Sequence, residues 1–307
     1  MASNLGESFS VVIPLYNKGY MIARCLESVA SQLLPPYEVI VIDDGSIDDS
    51  LAIATKVKED HNHVNIKILR QPNSGVSAAR NRGLEASSCE YVCFLDADDE
   101  WKPNFLLTMK SLIADYPEGS LYCLAHEVVR ENGVAVKPRH GCQEGYRGYV
   151  DNFFKSSSRG SVAKSSKICV RKESITKIGG FPEGVVAGED LYVWMMLAFE
   201  GPVVFEDRVC SIVYQLHDNS RGTRRNTIPY PLIYFGARKA LVKDDKGAIR
   251  YLSIIAAKHV ADSVSNSNYK EALYRLLAFR KISPFLFFVF FGILFLPPFV
   301  LKRVRGL

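Results

Sequence analysis

Four short, mostly apolar runs, each ending in a polar cluster, constrain this chain more than any other feature. They are Ser10–Ile13, Glu38–Ile42, Asn65–Leu69 and Tyr91–Leu95. They are rich in β-branched residues and too short for buried helices. Helix-period stretches separate them at 19–31, 48–58 and 76–86, with Met21, Ile22, Cys25, Leu26 and Val29 marking the first. Apolar strands alternating with helices define a parallel sheet covered on both faces. Ligands of such sheets sit beyond the carboxyl ends of the strands. The polar clusters fall there: Tyr16-Asn17, Asp43-Asp44-Gly45-Ser46, Gln71 to Ser74, and Asp96 to Asp99.

Beyond the fourth strand, 102–116 reads as an amphipathic helix, and 118–165 is turn-rich with no clear elements. Lys167–Val170 reads as a strand and Leu191–Phe199 as a helix entered through Gly188-Glu189-Asp190. Val203–Phe205 and Val209–Leu216 read as two strands, and from about Ile228 the chain is mostly helical. The division expected is an α/β domain over 8–225, a helical extension over 226–281 and a hydrophobic segment over 282–301. An apolar fraction of 48% is enough for a sizeable core. The seven cysteines are scattered, with no CxxC and no zinc spacing, and read as reduced, buried thiols of a cytosolic protein. The first residues carry neither a basic region nor an apolar one, so no secretory signal is expected.

The formal charge of +5 is unevenly placed. Arg221, Arg224 and Arg225 form one basic group, and Arg280, Lys281, Lys302, Arg303 and Arg305 another. This suits a local anionic partner, phosphate or a membrane surface, or simply a solvated face, rather than a nucleic-acid stripe. Between Ile282 and Leu301 no residue is charged, but Pro297 and Pro298 interrupt the run. The clean stretch from Pro284 to Leu296, at about 1.5 Å per residue, is short for a bilayer core of about 30 Å. A re-entrant or tilted membrane-associated segment is expected. A true span and a buried helix are the alternatives, the last opposed by the all-apolar Phe285–Phe288.

Asp96, Asp98 and Asp99 put three carboxylates in four positions, which repel one another unless neutralised. A hard divalent cation, Mg²⁺ or Mn²⁺, does this while bridging to substrate phosphates. Capping of the following helix by Asp98 or Asp99 is the structural alternative. Gly45 and Ser46 read as turn chemistry, Ser46 bonding toward the next helix, and Asp48 or Asp49 as that helix's N-cap. The stretch from Asn73 to Asn81 resembles an anion site at a helix start, with Arg80 either functional or in a surface salt bridge. Asp190, at another helix start, is either a general base or a residue favoured by the helix dipole. His217 follows a strand as a metal ligand or a loop residue.

Taken in order and spacing, VVIPLYN (11–17), EVIVIDDGSIDDS (38–50), QPNSGVSAARNRGLEAS (71–87), YVCFLDADDEW (91–101) and GGFPEGVVAGEDLYVWMM (179–196) resemble the family 2 glycosyltransferases over roughly residues 8–220. The resemblance implies a GT-A type fold, a nucleotide-diphospho-sugar donor, Mg²⁺ or Mn²⁺, and inversion at the anomeric carbon. It implies that Pro14 and Tyr16 border the nucleoside, that Asp44 bonds the base, and that Asn73, Arg80, Asp96 and Ala97 lie along the donor nucleotide. Asp98 would ligate the metal, aided by His217, and Asp190 would be the general base with Glu189 beside it.

The Q-x-x-R-W pattern of processive members is missing, which implies addition of a single sugar to a hydroxyl acceptor. With the apolar tail, a lipid-linked glycan acceptor in cell-surface polysaccharide synthesis is expected, at the cytoplasmic face of the membrane. Two rival readings are a sugar nucleotidyltransferase, for which Pro14–Gly19 is a poor phosphate loop, and a non-catalytic nucleotide-binding scaffold of a membrane glycan assembly.

Overall fold

The computed structural model describes residues 8–215, 227–265, 269–280 and 291–292. His217, the arginines at 221–225, and all of 282–301 except 291–292 lie outside them.

The alternation read from the first hundred residues is present. In chain order come β1 (Phe9–Leu15), α1 (Gly19–Ala30), β2 (Glu38–Asp43), α2 (Ser50–Asp60), β3 (Ile66–Arg70), α3 (Val76–Ala86) and β4 (Tyr91–Phe94). Then follow β5 (Glu100–Trp101), α4 (Phe105–Asp115), β6 (Leu121–Val129), β7 (Ala135–Val136), β8 (Arg147–Tyr149) and α5 (Phe153–Ser157). The chain continues through β9 (Ile168–Arg171), α6 (Lys172–Lys177), α7 (Glu189–Glu200), β10 (Val203–Tyr214), α8 (Tyr230–Ala237), α9 (Lys246–Ser265) and α10 (Tyr269–Arg280).

The sheet runs β3-β2-β1-β4-β9-β6-β10-β5, with β7 beside β6 and β8 beside β10. The β3-β2-β1-β4 half is wholly parallel. In the other half β9 is antiparallel to both β4 and β6, whereas β6 and β10 run parallel, so the sheet is mixed there. The fold is α/β, GT-A-like, with a mostly parallel sheet between helical layers.

Strand periodicity explains how both faces are buried. Val11, Ile13 and Leu15 of β1 point into a core with Val39 and Val41 of β2 and with α1 and α4. Val12 points the other way, into a core shared with Phe94, Trp194 of α7, Leu232 and Phe235 of α8, and Leu252 and Ala256 of α9. The helical segment after residue 228 therefore shares its core with the sheet. Six of the seven cysteines are buried among these side chains and all seven are free thiols.

Two local readings change. The strands expected at Val203–Phe205 and from Val209 onward are one strand, β10, which ends at Tyr214 and whose pairing with β6 shifts register between Glu206 and Ser211; Leu216 lies outside the described residues. That bulge is where Glu206 takes Arg147 at 3.0 Å and Asp207 takes Lys137 and His140, each at 2.7 Å. The charged residues mistaken for a break are the anchors of the 137–147 stretch. The turn-rich 118–165 region likewise contains β6, β7, β8 and α5. Among the described residues no helix is long and apolar enough to cross a membrane.

Gly83 lets α3 approach the sheet. A Cβ there would stand 2.2 Å from Val12 Cγ1. Gly83→Ala should therefore lower stability by about 1–3 kcal/mol through overpacking, despite alanine's better helix propensity. Val12→Ala should recover part of that loss in the double variant, as read by chemical denaturation.

Candidate active site

The carboxyl ends of the parallel strands open into a cleft of about 890 Å³. Pro14, Tyr16, Asp44, Asn73, Arg80, Asp96, Ala97, Asp98, Glu189 and Asp190 all line it. Every site residue expected from sequence is thus at one cleft, except His217, which lies outside the described residues.

The β1 and β2 ends are tied together by side chains accepting from backbone. Asn17, at φ +50°, donates its N–H to Ser46 Oγ at 3.1 Å, and its own Oδ1 accepts from Ile47 N at 2.9 Å. Asp48 Oδ2 accepts from Gly19 N at 3.1 Å and Asp48 Oδ1 from Ser50 N at 3.0 Å. Ser46 therefore reaches back to the first turn rather than into the next helix. Asp49 holds the N-cap position of α2 without a side-chain cap bond.

Asp43 and Asp44 are both buried and both engaged. Asp43 accepts from Ser46 N at 3.0 Å and pairs with Arg70 at 3.1 Å. Asp44 Oδ1 accepts from Gln71 Nε2 and Ser74 N, and Oδ2 from Gly75 N, each at 2.8 Å. Asp44 thereby holds the 71–75 loop and the start of α3, whose N-cap is Gly75.

Arg80 is not in a surface pair. It is 4% exposed and bridges Asp96 at 2.8 Å and Glu189 at 3.4 Å, over the Phe181 ring. Burial works against its charge, but Asp96, Glu189 and Asp190 together hold the guanidinium firmly protonated. The bridge joins the end of β4 to the first turn of α7. Gly188 caps α7 in the left-handed region at φ +79°. A Cβ there would meet Pro231 Cδ at 3.0 Å and Tyr230 N at 3.2 Å, so a side chain would be both strained and crowded. In that turn Asp190 Oδ1 accepts from its neighbour's N–H, Leu191 N, at 2.7 Å. Tyr251 of α9 lies within Asp190's field: burial first, then that charge, push its phenol up.

The three carboxylates of 96–99 have three different environments. Asp96 faces Arg80. Asp99 is buried, accepting from Ser166 Oγ at 2.5 Å and Tyr214 N at 3.0 Å. Burial, followed by the charges of Asp96 and Asp98, pushes its carboxyl up to about 7. Neither Asp98 nor Asp99 caps α4, whose N-cap is Asn104. Asp98 opens to the cleft and pairs with Lys18 Nζ at 2.9 Å.

Among the described residues no three His, Cys, Asp or Glu side chains converge on a point where a metal would sit. The carboxylates on the cleft that could hold such an ion are Asp98 and Asp96. That chemistry fits the mode in which Mg²⁺ or Mn²⁺ takes one or two carboxylates and completes its shell from substrate phosphates and water.

Lys18, Lys164, Tyr214 and His259 also line the cleft and carry no recognisable sequence pattern. Lys18 adjoins the Tyr16-Asn17 cluster, a cue too common to single it out.

A GT-A-like strand-end cleft with carboxylates from the loop after β4 and from α7 defines the class. The chain belongs to glycosyl transferase family 2, whose family model matches residues 10–172. Escherichia coli YibD, an uncharacterized glycosyltransferase, is 40% identical over 42% of this chain and 37% of its own length. Haloferax volcanii glycosyltransferase AglE is 31% identical over 60% and 59%, respectively. These matches span less than two thirds of either relative. The fold is similar to that of S. aureus TarS 1-349 crystallised with UDP-GlcNAc, with a TM-score of 0.72 at 19% identity, covering 97% of this chain and 90% of that one.

Removing Arg80 leaves two facing carboxylates without their common cation. Arg80→Met should cost about 3–5 kcal/mol in thermal or chemical unfolding. Arg80→Lys should recover only part, because one ammonium cannot reproduce the two-pronged geometry.

Proposed function

We propose that this protein transfers a single sugar from a nucleotide-diphospho-sugar to a hydroxyl acceptor, with inversion at the anomeric carbon. The observation that carries this is the joining, through Arg80, of Asp96 and the Glu189–Asp190 turn at one cleft that Asp98 also lines. The cleft is large enough for a nucleotide and a sugar.

Pro14, Tyr16, Asp44 and Asn73 form the nucleoside end. Asp44 spends its oxygens on the 71–75 loop, so its contribution there is largely to shape that wall. Asp98, with Asp96, would hold Mg²⁺ or Mn²⁺, and such an ion offsets the charge growing on a leaving diphosphate. Asp190 accepts the proton of the acceptor hydroxyl as that oxygen forms its bond to C1. The bond from C1 to the diphosphate oxygen breaks on the opposite face, and its electron pair leaves with the nucleoside diphosphate. Glu189, bound to Arg80, keeps the first turn of α7 in place while this happens. His217 and the arginines at 221–225 are proposed to meet the diphosphate.

The TarS structures with UDP-GlcNAc and with UDP support a nucleotide-sugar donor. A relative from Erwinia amylovora, the amylovoran biosynthesis glycosyltransferase AmsB, is 38% identical over 34% of this chain. It supports a cell-surface polysaccharide setting. We further propose a lipid-linked glycan acceptor, and residues 282–301 as a membrane-associated segment at the cytoplasmic face. Flotation with anionic liposomes tests the last point: loss of flotation on deleting 282–307 is expected, and unchanged flotation would reject it.

The central test is a donor screen of the full-length protein with Mn²⁺ or Mg²⁺, common UDP-, GDP- and dTDP-sugars and a membrane lipid extract. Release of nucleoside diphosphate from one donor is expected. Asp190→Asn should reduce it by about 10²–10⁴-fold, the usual weight of a general base. Asp98→Asn should weaken the metal dependence. Metal-dependent nucleotide binding without release from any donor would favour a non-catalytic scaffold, and neither binding nor release would remove the reading.

A further inference from the structure

Lys18 stands where helix physics gives no reason for a lysine. It holds the N-cap position of α1, with no acidic residue in the first turn of that helix. The helix dipole disfavours a cation there. Its backbone is nonetheless pinned. Lys18 N donates to Ser50 Oγ at 2.8 Å, and the flanking Asn17 and Gly19 N–H groups are held by Ser46 and Asp48, each at 3.1 Å. Its side chain passes over the Tyr20 ring, 5.9 Å from the centroid, and carries its ammonium to Asp98 at 2.9 Å inside the cleft.

The neighbouring carboxylates have tighter partners. Asp96 is fixed by buried Arg80, and Asp99 by Ser166 and Tyr214. Asp98 is paired with a compact charge on a flexible stem, both side chains being part-exposed, at 19% and 28%. Its cation is the exchangeable one. A divalent ion bound at Asp98 would lie within a few ångströms of that ammonium, and like charges so close repel strongly. The ammonium must then leave, and the new anion within its reach is the diphosphate that accompanies the ion.

We propose that Lys18 is a donor-phosphate-binding residue kept in reserve on Asp98. It competes with the divalent cation while the cleft is empty and transfers to the diphosphate when the two enter together. The competition makes cation and nucleotide bind cooperatively, each raising the affinity of the other by the same factor. This rests on the reading of Asp98 as the cation ligand.

Free Mn²⁺ is followed by electron paramagnetic resonance during titration of the full-length protein without nucleotide. Wild type is compared with Lys18→Met, Lys18→Arg, Asp98→Asn and Lys18→Met/Asp98→Asn. Lys18→Met should bind Mn²⁺ about tenfold more tightly than wild type, the scale of one charge-assisted hydrogen bond, while Lys18→Arg stays weak. The gain should vanish in the double variant. Equal Mn²⁺ affinity in wild type and Lys18→Met, with binding lost in Asp98→Asn, overturns the exchange and leaves Asp98 as the cation ligand. Binding indifferent to Asp98→Asn in every background removes that ligand assignment, and the exchange with it.

A second arm measures methylenediphosphonate by calorimetry with Mn²⁺ held saturating for each variant. Binding about tenfold weaker in Lys18→Met than in wild type is expected. Equal binding, or none to either protein, overturns the phosphate-binding role.

Discussion

One buried guanidinium holds the two halves of the cleft in register. Arg80 comes from α3, Asp96 from the loop after β4, and Glu189 from the first turn of α7. These elements are far apart in sequence and are brought together at the strand ends. A cation with almost no solvent is costly unless both flanking carboxylates remain charged and close. The same constraint that makes the arrangement expensive to break also ties the position of Asp96 to the first turn of α7, where Asp190 lies.

The sheet explains why these elements meet. Its parallel half delivers the ends of β1, β2, β3 and β4 to one rim, and the first three ends are stitched together by short polar side chains accepting from backbone. Asn17 and Ser46 join the first two, and Asp44 joins the second to the loop after the third. Such bonds satisfy backbone donors that neither strand nor helix can serve. They leave the rim rigid without filling it, as a binding cleft requires. α7 packs in the same core as Val12 and Phe94, and Asp190 in its first turn lines the cleft.

Much of this arrangement was visible in the residues. Asp98 and its neighbours stood out because three carboxylates in four positions directly after an apolar run repel one another unless neutralised, and Asp190 because it opens a helix within a family motif. Arg80 was visible, but its burial was not: on a helix of mixed polarity, with partners at 96 and 189, nothing local separates a buried bridge from a surface pair. Asp99 looked like a helix cap because the helix start lies nearby, whereas its partners, Ser166 and Tyr214, lie in later segments. Lys18 was overlooked for the same reason, since its partner is Asp98 on another strand end. β10 looked like two strands because the charged residues of its bulge resemble a turn.

The sequence by itself determined the family, the alternation of strand and helix, and the rim on which the polar residues gather. Those properties rest on local periodicity, on turn chemistry and on the order and spacing of motifs, all of which can be read along one dimension. Only the tertiary structure decided which charge faces which: Arg80 between two carboxylates, Lys18 on Asp98, Asp99 buried and proton-hungry, and Asp44 taken up by the 71–75 loop. Electrostatic and hydrogen-bond partners are chosen by distance in space and by the burial that strengthens or penalises each charge, and neither quantity exists until the chain has folded.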